Sequence, residues 1–259
     1  MKKQLISRLC ACLVVALCGM PLMAQGVIVY QKDGTKVKFP YELIDSIVTY
    51  NHGEEVEDEP VTPPATAPAG VEAVDLGLSV KWASCNVGAE SPEEYGGYYA
   101  WGETEEKTNY SLSTYKWCNG SNDSQTKYCT SSSYGSVDNK TTLDPEDDVA
   151  HVKWGGTWRM PTIAEQDELL SKCSWSWTSV NGVNGYRVTG PNGNSIFLPA
   201  AGYRYGGDVY DSGSFGGFWS ATLDSGESCY ACGLDLDDGY YDWEYYNRYC
   251  GLSVRPVTE

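Results

Sequence analysis

The C-terminal part of the chain joins a tyrosine-rich stretch to an aliphatic run. Residues 238–251 read DGYYDWEYYNRYCG, and residues 252–257 read LSVRPV. Six of the first 14 side chains are aromatic, yet they alternate with Asp, Glu, Asn, Arg and Gly and show no clean period. The aliphatic run has the composition of a buried strand. The sequence therefore predicts a fixed strand at 252–257 that follows an exposed aromatic surface.

The rest of residues 71–259 is rich in Gly, Trp and Tyr and shows helical periodicity clearly in one segment only. In PTIAEQDELLSK (161–172), Thr162 occupies an N-cap position and Glu165 completes a capping box. Elsewhere, short apolar runs alternate with Gly-rich turns, which favours short strands among long loops. These runs are LSVKWA (78–83), YRVTG (186–190) and SIFLPAAGY (195–203). The predicted fold class is α+β.

The first 24 residues have the pattern of a secretory signal peptide. Lys2 and Lys3 precede an apolar run that ends at Ala24, and this run is shorter than a membrane span needs. A lipoprotein signal with the lipid on Cys18 is the alternative, although Leu17 is large for that processing. The mature protein is therefore predicted to be exported, secreted or at the cell surface, with the periplasm and outer membrane also open, and to contain no integral membrane span.

Two further segments precede the main domain. Residues 25–50 contain short β-like runs around Asp33-Gly34, a dipeptide that favours hairpin turns, and they predict a small β element. Residues 51–70 read NHGEEVEDEPVTPPATAPAG and have almost nothing to bury, so they predict an acidic, Pro-rich linker. Residues 71–259 then form one domain.

The charge balance excludes some partners. Without residues 1–24 the chain has 15 Lys plus Arg against 35 Asp plus Glu, a net charge of about −20. Such a surface repels phosphate backbones and anionic lipids, so no nucleic acid partner is expected.

Seven cysteines follow the signal peptide, and export places them in an oxidising compartment. Cys118 and Cys129 flank a polar loop and are the first predicted disulfide. Because seven is an odd number, at least one thiol stays free or pairs with another molecule.

An acidic cluster precedes the predicted helix. Asp144, Glu146, Asp147 and Asp148 place four carboxylates within five residues, and Ca²⁺ prefers oxygen ligands. The alternative is a solvated acidic turn in which Asp144 or Asp148 caps a helix, with no cofactor. The run lacks the alternate spacing and the Gly of an EF-hand loop.

Several long strings carry a resemblance to a known family. They are DLGLSVKWASCNVGAESPEEYGGYYAWGET (75–104), LDPEDDVAHVKWGGTWRMPT (143–162), NGYRVTGPNGNSIFLPAAGYR (184–204), FWSA (218–221) and GLSVRPV (251–257). In this order they closely resemble the Fibrobacter succinogenes major paralogous domain. The resemblance implies a C-type lectin-like fold, similar to that of formylglycine-generating enzymes and of diversity-generating retroelement targets. It implies a loop-built binding face and no particular reaction.

Composition and resemblance point to the same binding segment. Residues 202–251 hold nine Tyr, ten Gly, seven Asp and no Lys, which is typical of an antibody paratope. In the retroelement targets, this end of the domain carries diversified positions, and the resemblance implies that Trp243, Glu244, Arg248 and Gly251 are scaffold here. A static aromatic loop is the alternative. The predicted ligand-binding residues are Asp235, Asp237, Tyr240, Tyr241, Asp242, Trp243, Tyr245, Tyr246, Asn247 and Tyr249.

The predicted function is therefore non-catalytic binding of a protein or glycan outside the cell. Trp101 and Trp117 are further candidates for sugar stacking, whereas Trp154, Trp158, Trp175, Trp177 and Trp219 favour a core. One rival is a secreted enzyme, either a polysaccharide hydrolase or a relative of the formylglycine-generating type. Outside the linker only His151 offers an imidazole, and the strings around Cys229 and Cys232 match no such motif. The other rival is a component of a surface assembly that docks through residues 27–50.

Overall fold

The structure is a computed structural model that describes residues 67–259 and two strands near the N-terminus. The chain divides into two units, residues 1–63 and 64–259. The predicted signal peptide, Cys18, residues 41–50 of the predicted β element and residues 51–66 of the predicted linker lie outside the described residues. In the first unit, β1 (Gly26–Tyr30) pairs antiparallel with β2 (Lys36–Pro40), so the two short runs of the predicted β element form a hairpin ladder.

The second unit is built mainly from small antiparallel sheets. Three of them have three strands, in the orders β5-β6-β7, β10-β11-β12 and β13-β4-β3, and β8 pairs with β9. The strands are β3 (Ala73–Val74), β4 (Lys81–Ala83), β5 (Ser174–Val180), β6 (Val183–Thr189), β7 (Ser195–Pro199), β8 (Tyr203–Tyr205), β9 (Asp208–Tyr210), β10 (Phe215–Leu223), β11 (Tyr230–Asp237), β12 (Tyr240–Asn247) and β13 (Val257–Thr258).

The predicted α+β class is wrong, because the fold is closer to all-β. Strand accounts for 36% of the described domain and helix for only 11%. The helices are α1 (Val149–Trp154) and α2 (Ile163–Lys172), with single 3₁₀ turns at Leu112–Thr114 and Pro145–Asp147. The physical reason is that the helical signal is confined to one ten-residue segment. Most of the remaining regular backbone pairs in short hairpins between turns. No helix of the described residues is long and apolar enough to cross a membrane.

Helix α2 begins where the sequence predicts. Thr162 is the N-cap, its hydroxyl accepts from the Glu165 backbone N–H at 3.3 Å, and Glu165 Oε2 accepts from the Thr162 N–H at 2.8 Å. Arg159 adds an ion pair to the same carboxylate. Leu169 is fully buried in a core cluster with Phe218 of β10, so this helix covers one side of the β10-β11-β12 sheet.

The run 252–257 is buried as predicted, but it is not one continuous strand. Leu252 exchanges hydrogen bonds with Tyr99 at 3.0 and 3.1 Å, and Ser253 receives the Trp219 N–H and donates to Gly217. Val257 then pairs with Arg159 and with β4. Successive residues therefore bond to different segments, and the run connects strands and loops that lie far apart in the sequence.

Candidate binding face on the last hairpin

The tyrosine-rich stretch forms the outer strand of a hairpin. Strand β12 pairs antiparallel with β11 without a register break, and Asp238 and Gly239 form the turn. Gly239 has a φ of 99°, a left-handed conformation that favours glycine. Strand β11 is buried between β10 and β12, so β12 lies at the edge of the sheet. Six consecutive residues of β12 are exposed.

The register divides the hairpin side chains between two faces, because directly opposed residues point to the same side of a sheet. Tyr241, Trp243 and Tyr245 lie opposite Leu236, Leu234 and Cys232, on the side covered by α2. We call these three residues the aromatic face. The acidic face is the other side, formed by Asp235, Asp237, Tyr240, Asp242 and Glu244.

The aromatic face has one anchored ring and two free ones. Tyr241 stacks on Trp175 with ring centroids 4.6 Å apart and planes inclined by 9°, and its edge meets Tyr186 at 5.2 Å. Trp243 and Tyr245 contact each other in a T-shaped pair at 5.2 Å and are 38% and 45% exposed. The hairpin therefore presents rigid aromatic surface to solvent.

The tryptophan predictions need correction. Trp101, a candidate for sugar stacking, is fully buried, and its indole N–H donates to the Ser220 carbonyl at 2.8 Å. Trp117 is half-buried and donates to Gly102. Trp175 and Trp177, expected in the core, are instead half-buried and extend the aromatic surface next to Tyr241 and Tyr186. The sequence marks these rings as aromatic, but their neighbours along the chain do not reveal their exposure.

The acidic face covers one buried carboxyl. Tyr240, Asp237, Asp242 and Glu244 are exposed, whereas Asp235 is buried and accepts a hydrogen bond from the Tyr246 hydroxyl. Burial raises the pKa of Asp235 to about 7, and the nearby carboxylates of Glu244 and Asp237 act in the same direction.

Six of the ten predicted ligand-binding residues are exposed in the structure, namely Asp237, Tyr240, Tyr241, Asp242, Trp243 and Tyr245. The other four are not on the open surface. Asp235 is buried, Tyr246 packs edge-on against Trp219 at 5.9 Å, and Asn247 and Tyr249 are half-buried. Asp235 lies on the inner strand β11, and the other three lie where the end of β12 meets the core, positions that composition does not mark.

The base of the hairpin is fixed by Arg248. Its guanidinium is buried and donates to the carbonyls of Tyr128, Ser228 and Lys127 at 2.8 to 3.1 Å, and to the Tyr115 hydroxyl at 2.9 Å. A Cβ on Gly251 would come within 2.6 Å of the Tyr110 ring. The scaffold role that the resemblance implies for Arg248 and Gly251 agrees with these contacts, whereas Trp243 and Glu244, for which it implies the same role, are exposed.

The predicted calcium ligands do not act as one group. Asp144, Glu146 and Asp147 converge, with one oxygen from each within 4.8 Å of the others. The Lys127 ammonium lies among them, 2.7 Å from Asp144 and 2.6 Å from Asp147. Three carboxylates could hold a cation, and a protein cation already contacts them. Calcium therefore stays a prediction.

Asp148 points away from that cluster. Its carboxylate accepts from the Ala150, His151 and Met160 backbone N–H groups at 2.8 to 3.1 Å, so it caps α1 and ties the helix to the next segment. This is the capping role that the sequence offers as an alternative to metal binding.

All seven cysteines of the described domain are free thiols. The predicted Cys118–Cys129 disulfide is therefore not formed in this structure. The two thiols donate hydrogen bonds to different carbonyls. Cys118 bonds to Leu112 at 3.2 Å and Cys129 to Ser131 at 3.1 Å.

The groups considered for catalysis are His151, Cys229 and Cys232. His151 lines a cavity of about 260 Å³ together with Asp148 and Arg159, but Asp148 caps α1 and Arg159 pairs with Glu165. Burial raises the pKa of the Cys232 thiol to about 11 and also raises that of Cys229, which favours the less nucleophilic thiol form.

No family model, no curated protein and no solved structure matches the chain. The resemblance to the Fibrobacter succinogenes domain therefore stays a prediction, and function has to be argued from the geometry.

Proposed function

We propose that this is an exported binding protein that holds a protein or glycan ligand, without covalent chemistry, on the β11–β12 hairpin. The observation that carries the proposal is the row of exposed aromatic residues along an edge strand. Tyr240, Tyr241, Trp243 and Tyr245 are 38 to 45% exposed, and monomeric soluble proteins rarely expose several large aromatic side chains side by side unless the surface binds a partner.

Aromatic residues of this kind dominate binding energies when a ligand covers them. Tyr and Trp are enriched among interface residues whose truncation costs about 2 kcal/mol or more. They also supply large contact area for the loss of only two side-chain torsions. Trp243 and Tyr245 meet this description, because within the described residues their rings contact no other aromatic ring than each other.

The hairpin is also held in place before any ligand arrives. Tyr241 is stacked on Trp175 at one end of β12, and Arg248 bonds to three carbonyls at the other end. A preorganised surface loses little conformational entropy on binding, which leaves more of the contact energy as affinity.

The test is a screen of the mature protein on glycan and protein arrays. The Trp243→Ala/Tyr245→Ala variant should lose captured ligands and keep its melting temperature within a few degrees. The matched control is Tyr205→Ala/Tyr210→Ala on the β8–β9 hairpin, where both rings are similarly exposed. If ligands survive the first variant and are lost with the control, the binding face is wrongly placed.

A further inference from the structure

We propose that β12 binds an extended basic peptide, which adds to its free edge as a fourth strand. This inference rests on the proposed function and specifies its ligand. The observations that carry it are the unpaired backbone of β12, the division of its side chains between two faces, and the charge of one face.

The backbone alternation shows which groups of β12 are available. The Arg248 N–H donates to Cys229, and the Trp219 N–H turns away from β11 toward Ser253. In an antiparallel ladder, hydrogen-bonded residue pairs alternate with pairs that are not hydrogen-bonded. Both contacts show that the N–H and C=O groups of four β12 residues bond to β11, namely those of Tyr240, Asp242, Glu244 and Tyr246. The N–H and C=O groups of Tyr241, Trp243 and Tyr245 therefore point outward.

This edge is long and largely unprotected. Soluble proteins usually protect an edge strand with charged side chains, especially Lys, or with Pro or a bulge. Residues 240–247 contain no Lys, no Pro and no register break, and their two charged side chains, Asp242 and Glu244, are both negative. Asp242 Oδ1 accepts the Trp243 N–H at 2.8 Å, and within the described residues no other hydrogen bond reaches the outward groups of Tyr241, Trp243 and Tyr245. The carbonyls of all three residues and two of the three N–H groups remain for a partner strand.

Charge selects the partner. Asp237, Asp242 and Glu244 are exposed beside Tyr240. Partial burial raises the pKa of Tyr240, and the charges of the surrounding carboxylates raise it further. A second copy of this chain would bring the same carboxylates against them, and nucleic acid would bring phosphates. A peptide with Lys or Arg would neutralise these carboxylates and place cations over the Tyr240 ring.

The geometry also specifies a sequence pattern for the peptide. Alternate side chains of an added strand project to opposite sides of the sheet. One set would lie on the acidic face and favour Lys or Arg. The other would lie beside Tyr241, Trp243 and Tyr245 and favour apolar residues, so the expected ligand alternates basic and apolar residues over about eight positions.

The experiment is selection of a displayed random octapeptide library on the full mature protein, followed by synthesis of one enriched peptide. We expect enrichment of Lys and Arg over Asp and Glu at alternate positions. Two versions of the peptide are then N-methylated, one at odd and one at even positions. Because only alternate N–H groups face β12, one version should bind at least about tenfold more weakly and the other should be little changed.

Protein variants separate the backbone from the side chain. Tyr245→Ala and Tyr245→Pro both remove the ring, but only Pro removes the outward N–H, at an edge position that tolerates it. The Pro variant should bind the peptide more weakly than the Ala variant at an equal melting temperature. Asp237→Asn/Glu244→Gln should weaken binding about three- to tenfold, and Asp208→Asn on β9 should not.

The outcomes distinguish the inference from the proposed function. Equal effects of the two N-methylated peptides, or enrichment without basic residues, overturn strand addition. If array ligands such as glycans still depend on Trp243 and Tyr245, the proposed function stands and only the inference fails. If neither the peptides nor the array ligands depend on this hairpin, both fail.

Discussion

Tyr241 of the last hairpin lies flat on Trp175 of another sheet, with ring centroids 4.6 Å apart. The indole N–H of Trp175 donates a hydrogen bond of 3.3 Å to the carbonyl of Leu169, in the last turn of α2. This stack therefore connects the exposed strand to the folded core. It assigns Tyr241 a structural role that Trp243 and Tyr245 do not share.

The first prediction follows from this stack. Tyr241→Ala should destabilise the domain by about 1–2 kcal/mol more than Trp243→Ala, because it removes contacts with both Trp175 and Tyr186. Urea unfolding followed by circular dichroism measures the difference. Equal losses in the two variants would show that the stack contributes no more to stability than the Trp243–Tyr245 pair does.

The second prediction concerns Asp235. Its folded pKa of about 7 lies above the unfolded value of 3.8, so the folded state retains a proton that the unfolded state releases. The stabilisation of the folded state by this proton is complete below pH 3.8 and is lost as the pH rises through 7. Asp235→Asn should therefore be more stable than the wild type by about 2–4 kcal/mol at pH 8, with a smaller advantage toward pH 4.

Unfolding midpoints at several pH values between 4 and 8 test this prediction. Asp237→Asn is the matched control, because it removes the same charge from the same strand at an exposed position. A constant difference between wild type and Asp235→Asn across the range would mean that this carboxyl stays ionised under Tyr246.

Local signals in the sequence predicted the parts of this molecule that local chemistry determines. The capping box of Thr162 and Glu165 gave the start of α2, and the apolar residues of 252–257 gave a buried segment. The sequence did not reveal that 240–247 is a strand, because the aromatic/acidic alternation of 241–245 is interrupted by Tyr240 and Tyr246, and most of the strand is exposed on both faces at an edge.

Contacts between distant residues account for the other errors. Lys127 lies 17 positions before Asp144 in the chain, so no local spacing indicates that its ammonium enters the acidic cluster. Exposure of Trp101 and Trp175 likewise depends on segments that only folding brings together. The aromatic and acidic composition of this segment is visible in the sequence, whereas the division of its residues into two faces and a buried base required the register.

The third prediction tests the base of the hairpin. Arg248→Lys keeps the charge, but an ammonium lacks the planar array of donors that reaches the carbonyls of Tyr128, Ser228 and Lys127. Unpaired buried carbonyls should lower the free energy of unfolding by about 3 kcal/mol. Arg187→Lys at an exposed site of β6 is the control and should change little. A neutral result for Arg248→Lys would mean that solvent reaches these carbonyls.

The fourth prediction addresses calcium at the cluster of Asp144, Glu146 and Asp147. Lys127 donates to two of these carboxylates, and they hold its pKa above the usual range although burial acts in the opposite direction. Lys127→Met should lower the melting temperature, because it leaves Asp147 buried without this partner, and millimolar Ca²⁺ should restore part of the loss. Lys140→Met, which removes a more exposed partner of Asp144, should respond much less to Ca²⁺. A large Ca²⁺-induced thermal shift in the wild type, abolished by Lys127→Met, would show instead that the ion binds with the lysine in place.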